Sequence, residues 1–422
     1  MNSRFASGSL LGQGAIPLDI RHLIIEDADN PHPSAANGLH QVARNLILEQ
    51  LRAGDAAQLF YVPADRNSEP PADVPLEVVP VTGRKLFGHP VGVDSGALQT
   101  MVRNASPSTI FHIHGFRRPL LIALTHELRR RHISYVITGH SRYAHIFDHE
   151  GHLRHAKTAA YVYVFERPVL QAACFVHLLT TYEVPSVRRL ARGSNIEILP
   201  NGAFSSAREG VPAKTRVGGL SGKSPVFGFF GRLAIEHKGL DLLVEGFAHY
   251  RQAGGEGTLE IMGTGDEAQG ELAARCDQLG IAEHTTLLGP RFGQEKIETL
   301  KGWDFFVMPS RFDRVPLAGL EAGLFGLPLI LTAETGLDAE QSGGGITIQE
   351  LSSAAVAAAL SDTARLSSEQ WSAMSESVYQ MVLSVADWTA IAAKLRELYL
   401  QALVAVSETP RQADARQPIN VI

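Results

Sequence analysis

A chain of 422 residues is too long for one hydrophobic core, so two or three domains are expected. Hydrophobic content of 45% against 19% charged excludes a disordered chain, and a formal net charge of −6 excludes a wholesale nucleic-acid binder. Two cysteines, Cys174 and Cys276, exclude a disulfide framework or a cysteine zinc site and suit a reducing compartment.

The N-terminus has no apolar run of signal-peptide length, and no later run reaches the roughly eighteen apolar residues of a membrane span. A cytoplasmic protein is therefore expected. Residues 103–192 hold thirteen Lys/Arg against five Asp/Glu, including Arg117-Arg118 and Arg129-Arg-Arg131. Such a basic segment predicts a face that meets anions, with peripheral contact to an anionic membrane or a lipid-linked partner as one form of it.

In chain order, Arg21–Ile25 reads as a strand, residues 39–53 as a helix ended by Gly54, and Ala57–Val62 as the next strand. The Pro-rich stretch 63–75 is a surface loop. Thr109–His114 is a strand, 119–131 a helix, and Ser134–Thr138 a strand ending at Gly139-His140. Residues 156–192 read as helices broken near Pro185, followed by the strand 196–199 and Pro200-Asn-Gly202. Alternating strands and helices predict a doubly wound, mostly parallel sheet.

Residues 203–225, rich in Gly, Ser, Ala and Lys, are the linker candidate. The pattern then restarts. Strands are predicted at 226–230, 259–262, 285–288, 305–308 and 327–332, with helices over 240–253, 272–279, 297–301, 351–364 and 368–384. Ser342–Gly345 reads as a loop. A final helix covers 387–403 before a polar tail.

The most informative stretch is Pro309-Ser-Arg-Phe-Asp-Arg-Val-Pro-Leu-Ala-Gly-Leu-Glu321. It follows the buried strand 305–308, and Pro316 suits the first position of a helix, where a missing N–H costs nothing. The amides of Leu317 and Ala318 would then point out of the helix end as an anion cradle, flanked by the carboxylates of Asp313 and Glu321. An ordinary strand-to-helix turn has the same outline.

Gly231-Arg-Leu-Ala-Ile-Glu-His-Lys-Gly239 reads as a charged loop after a strand. There Arg232 and Lys238 could converge on one diphosphate, or simply be solvated. Gly263-Thr-Gly265-Asp-Glu-Ala268 fits a dinucleotide fingerprint, but Glu283 precedes the next strand rather than ending it, which argues against NAD. Of the seventeen histidines, His140 at a strand's carboxyl edge is the strongest candidate, and His112 and His114 lie one strand earlier. The cluster His145, His149, His152 and His155 reads as a solvated face, so no metal site is predicted.

Taken together, Gly231-Arg-Leu…Lys238-Gly239, Ile261-Met-Gly263-Thr-Gly265, Leu288-Gly289, Pro309-Ser310, Asp313-x7-Glu321-Ala322 and Pro328 form an ordered series. It resembles the donor domain of GT-B retaining glycosyltransferases of the family 4 type, also called group 1. Asn37-Gly38, His112-Ile-His114-Gly115, His140, Pro200-Asn-Gly202 and Asp387-Trp388 agree, so the likeness spans roughly residues 21 to 403.

The resemblance implies two Rossmann-like doubly wound α/β domains facing across a cleft. Residues 1–205 would bind the acceptor and 206–385 the nucleotide-sugar donor, with a closing helix over 386–405 and a tail over 406–422. It implies transfer of a sugar from a nucleoside diphosphate, UDP- or GDP-linked, to a saccharide or lipid-linked acceptor, with retention and with no metal or other cofactor. By position, Arg232 and Lys238 would hold the diphosphate with the Leu317 and Ala318 amides. Gly38 would approach from the other domain. Glu321 would bind the ribose, Asp313 the donor sugar, and His140 would sit beside the reacting centre.

Asp313 replaces the family's Glu and Pro316 a common Gly, both near the donor sugar. A GT-B epimerase, a phosphorylase and a non-catalytic nucleotide-sugar-binding partner are the alternatives.

Overall fold

A computed structural model describes residues 17–26, 38–63, 70–71, 73–79, 85–86, 89–90, 95–115, 118–140, 143, 159–210, 212–214, 220 and 224–408. Asn37, Arg117, the histidines from 145 to 155 and the tail beyond 408 lie outside the described residues. Two all-parallel sheets carry the fold. The first has seven strands: β1 (Asp19–Ile25), β2 (Ala56–Val62), β3 (Leu76–Val78), β4 (Thr109–His114), β5 (Ser134–Thr138), β6 (Phe175–Leu178) and β7 (Ile196–Ile198). Their spatial order is β3-β2-β1-β4-β5-β6-β7.

The second sheet has six strands: β8 (Val226–Arg232), β9 (Thr258–Thr264), β10 (Thr285–Gly289), β11 (Phe305–Met308), β12 (Leu329–Thr332) and β13 (Gly345–Ile348). They run β10-β9-β8-β11-β12-β13. Both orders reverse direction once, between β1 and β4 and between β8 and β11, and open α/β sheets leave a crevice at such points. The central strands are buried on both faces, which is why they read as unbroken apolar runs.

Three expectations need correction. Residues 156–192 are not helical throughout, because Phe175–Leu178 pairs in parallel with β5 and β7. A four-residue apolar run has no period that separates strand from helix. Pro185 stands in the first turn of the helix Val184–Leu190. Second, Gly345 opens a strand rather than closing a loop. A Cβ there would overlap the Leu329 carbonyl, so the glycine allows β12 and β13 to approach. Third, Gly231 and Arg232 complete β8, and Ile235–Lys238 form one helical turn rather than open loop.

The last helix, Trp388–Glu408, returns to the first sheet. Its Ile391, Leu395, Leu398 and Tyr399 share a core with Leu46 and Ile47 of the helix Gly38–Arg52. Buried Glu49 accepts hydrogen bonds from Ser205 (2.6 Å) and Thr389 (3.2 Å) and pairs with Arg208, joining the two chain crossings. Trp388 lies flat on Gly202, where any Cβ would strike the indole. Truncating that ring leaves a void beside buried Ile391 and Ala392. Trp388→Ala is expected to cost about 3–5 kcal/mol, read as a lowered urea midpoint. A change under about 1 kcal/mol would contradict this packing.

Candidate active site

The crevice beside β8 and β11 gathers most of the candidate residues. β8 pairs with β11 through Phe227↔Phe305 and ends at the half-buried Arg232. The following turn ends at Lys238, and Gly239 takes the left-handed conformation, φ 66°. A Cβ on Gly239 would overlap the Pro309 carbonyl oxygen, so glycine is what lets this turn lie against the loop after β11.

The two segments are then stitched together. Lys238 Nζ lies 2.8 Å from both carboxylate oxygens of Asp313. Ser310 Oγ hydrogen-bonds Asp313 and lies 2.9 Å from the His237 carbonyl. Arg311 grips Asp241 with two hydrogen bonds, 2.8 and 2.7 Å, and donates its amide to the His237 carbonyl. Burial would raise the Asp313 pKa, but Lys238, His237 and Ser310 outweigh it and hold the carboxyl below its ordinary value. Asp313 is ionised at neutral pH.

The loop then carries strain. Val315 has φ 44°, a conformation costly for a β-branched residue, and is buried. It is held from both sheets: its amide donates to Thr335 O (2.7 Å), and its carbonyl accepts from Asn201 Nδ2 (3.1 Å). Pro316 does not occupy the first helical position as expected. With ψ 129° it is the N-cap, and the helix begins at Leu317. The consequence is the same: the amides of Leu317 and Ala318 open the helix and have no acceptor among the described residues. Gly38, at the start of the facing helix, sits close by; a Cβ there would meet Leu317 Cδ1 at 3.8 Å.

Glu321, one turn into this helix, is paired with Lys296 at 2.6 Å, and Lys296 Nζ lies 4.4 Å above the Phe230 ring. Lys296 was not singled out from sequence. It comes from a different helix, Gly293–Gly302, and no local motif marks it.

His140 is placed differently. It ends β5 at φ 47° and is held from the first sheet, its Nε2 3.0 Å from His114 Nδ1. The structure thus joins Lys238 to Asp313, Glu321 to Lys296 and Gly38 to Leu317, while His140 belongs to a separate buried histidine array.

The comparisons with known proteins agree with this architecture. A family profile described as Glycosyl transferases group 1 matches residues 224–365, and one described as Glycosyl transferase 4-like domain matches residues 37–202. The chain is 33% identical over 160 residues to the glycogen synthase of Halorhodospira halophila (strain DSM 244 / SL1), covering 35% of this chain and 32% of that one. It spans roughly a third of the length of the curated relatives it matches.

Among solved structures it is similar to sucrose-phosphate synthase from Thermosynechococcus elongatus, TM-score 0.69 at 17% identity, covering 92% of this chain and 100% of that one. It is also similar to Anabaena Alr3699/HepE in complex with UDP-glucose, TM-score 0.65 at 16% identity, covering 91% and 100%. With the two profiles spanning both sheets, the chain belongs to the group 1 glycosyltransferases and has the GT-B fold.

Proposed function

We propose that the chain transfers a sugar from a nucleoside-diphosphate donor to a hydroxyl acceptor, with retention of configuration and without a metal. The observation that carries this is the cradle at the β8–β11 crevice. Arg232 ends β8, Lys238 closes the turn after it, and the open amides of Leu317 and Ala318 follow the neighbouring strand β11. Breaking a sugar–phosphate bond adds negative charge to the diphosphate, and fixed cations and a helix N-terminus stabilise that charge as it develops. In the HepE neighbour the bound ligand is UDP-glucose, and we extend that donor class to this chain.

Within this reading Glu321 takes the ribose hydroxyls and exchanges its contact with Lys296 for them. Asp313 acts differently from the family's Glu. One methylene shorter, it spends both oxygens on Lys238 and reaches the sugar only as Lys238 turns to the phosphate. The acceptor binds beside His140 on the first sheet.

The test is nucleoside diphosphate release from a panel of UDP- and GDP-sugars, each with EDTA present, followed by proton NMR of the product anomer. An α-linked donor should give an α-linked product. Release that stops with EDTA, or an inverted anomer, would contradict the mechanism.

A second observation bears on the acceptor. Tyr163, Val164 and Phe165 are exposed side by side on a π-helical turn, Val162–Glu166, followed by Arg167. Together they form an exposed apolar face beside one exposed cation, Arg167. We assign it to the surface of an anionic membrane holding a lipid-linked acceptor. Co-sedimentation with phosphatidylglycerol vesicles should fall about tenfold in Phe165→Glu. Equal sedimentation of the two proteins would sink it. No helix among the described residues is long and apolar enough to cross a membrane.

A further inference from the structure

The centre of the first sheet is occupied by histidines where apolar side chains would be cheaper. His22 on β1, His112 and His114 on β4, and His177 on β6 are all buried. Parallel register sets His22 beside His112, His114 beside Thr138, and Thr138 beside His177. Burial holds all four rings neutral, with His22 and His177 pushed down to about 4. A neutral imidazole has one N–H and one lone pair, so each hydrogen bond dictates the next.

Two chains of bonds result. In one, Leu199 O accepts from His177 Nε2 at 2.9 Å, so His177 Nδ1 accepts from Thr138 Oγ1 at 2.9 Å. Thr138 Oγ1 in turn accepts from His112 Nε2 at 2.7 Å, and His112 Nδ1 accepts from Tyr399 of the last helix at 2.6 Å. The backbone carbonyl fixes that direction absolutely. In the other, Gln50 Oε1 lies 2.8 Å from His22 Nε2, His22 Nδ1 lies 2.8 Å from His114 Nε2, and His114 Nδ1 lies 3.0 Å from His140 Nε2. Read from the Gln50 oxygen, every step is again an Nε2–H donating to the acceptor before it.

We propose that Gln50, His22 and His114 are positioning residues that lock His140 in its Nε2–H tautomer, so that Nδ1 is the hydrogen-bond acceptor of the ring. Two other uses of the array fit less well. One nitrogen from each of His22, His112 and His114 lies within 4.8 Å of the others, as metal ligands would. However, all these ring nitrogens already have hydrogen-bond partners, and 2.8 Å between His22 and His114 is closer than the about 3.3 Å separating two nitrogens on a tetrahedral zinc. A proton wire is excluded by its end: the Gln50 amide cannot take up a proton and pass it on. The array holds; it does not conduct.

The locked ring presents Nδ1 as an acceptor and cannot donate Nδ1–H to an oxyanion. Its bearing on catalysis rests on the glycosyltransferase reading, whereas the tautomer is measured on the protein alone. The experiment is a long-range proton–nitrogen correlation spectrum of the full chain labelled with nitrogen-15 histidine, at neutral pH and without substrate. His140 is assigned by its loss in His140→Asn.

The wild type should show His140 as a single Nε2–H tautomer. Gln50→Met, of similar length but with neither amide group, should convert that signal to an average of both tautomers, and Gln50→Glu should restore the Nε2–H form. A wild-type His140 in the Nδ1–H or mixed form overturns the proposal. So does an unchanged signal in a folded Gln50→Met. Should Gln50→Met not fold, the wild-type spectrum and Gln50→Glu decide alone. Loss of sugar transfer without a change in tautomer would leave the lock overturned and the function standing.

Discussion

Lys238→Ala is expected to slow sugar transfer by about a hundredfold or more while the protein stays folded. Lys238 is only 14% exposed and, among the described residues, its side chain is anchored by the Asp313 carboxylate, itself 13% exposed. In the resting site the two charges neutralise each other. When a diphosphate arrives it offers more negative charge than one carboxylate, and Lys238 can turn to it while Ser310 continues to hold Asp313. Removing the lysine therefore has two effects. It takes a cation from the leaving group, and it leaves a carboxylate facing the incoming phosphate.

The second effect can be separated from the first. Lys238→Ala combined with Asp313→Asn should recover part of the donor affinity, seen as a lower KM, but not kcat, because the cation is still missing. Initial rates across a range of donor concentrations, up to saturation, are the measurement. A Lys238→Ala rate within about threefold of wild type would mean that the diphosphate sits elsewhere.

The second large effect is on stability. Lowering the pH from 7 to 5 is expected to destabilise the N-terminal sheet by several kcal/mol. His22 and His177 titrate near 6.5 when unfolded but only at about 4 when folded. Between those values the unfolded chain binds more protons than the folded one, so stability falls as the pH falls. Their contribution is intact above 6.5 and is lost progressively toward 4.

For a shift of this size each ring loses on the order of 2 kcal/mol by pH 5, and His112 and His114 add to it in the same direction. Asp313 and Glu127 have depressed pKa values, so their stabilisation is lost only below the ordinary carboxylate range near 4. The window from pH 7 to pH 5 therefore isolates the histidines. Urea midpoints at the two pH values read it directly, and a flat midpoint would contradict the buried neutral array.

Much of this molecule was legible in the residues, and the reason is locality. β4, β5 and β11 end where apolar runs meet Gly, His or Pro, and those signals lie within a few positions of the element they close. The order of Arg232, Lys238, Pro309, Asp313 and Glu321 along the chain carried the family resemblance because each lies at the end of, or within a short stretch after, one of two strands, β8 and β11, that pair in the sheet.

What escaped was set by distant neighbours. Phe175–Leu178 is a strand because β5 and β7 offer it partners on both sides, not because of its own four residues. Lys296 meets Glu321 across two elements, and the Lys238–Asp313 pair exists only because Gly239 lets the backbone approach Pro309. His112 and His114 were noticed but had no role, since their partners His22 and His177 come from strands whose register no sequence interval reveals. His140, read as a single residue at the cleft, is the half-buried end of that array.

The central claim is that the β8–β11 crevice is a nucleoside diphosphate site, and calorimetric titration of UDP and of GDP into the full chain tests it most directly. The wild type should bind at least one of them with measurable heat in the presence of EDTA, and Arg232→Ala combined with Lys238→Ala should abolish that heat while retaining the wild-type circular dichroism. If neither nucleotide binds the wild type, or if the double variant binds as tightly, the assignment of this crevice is wrong.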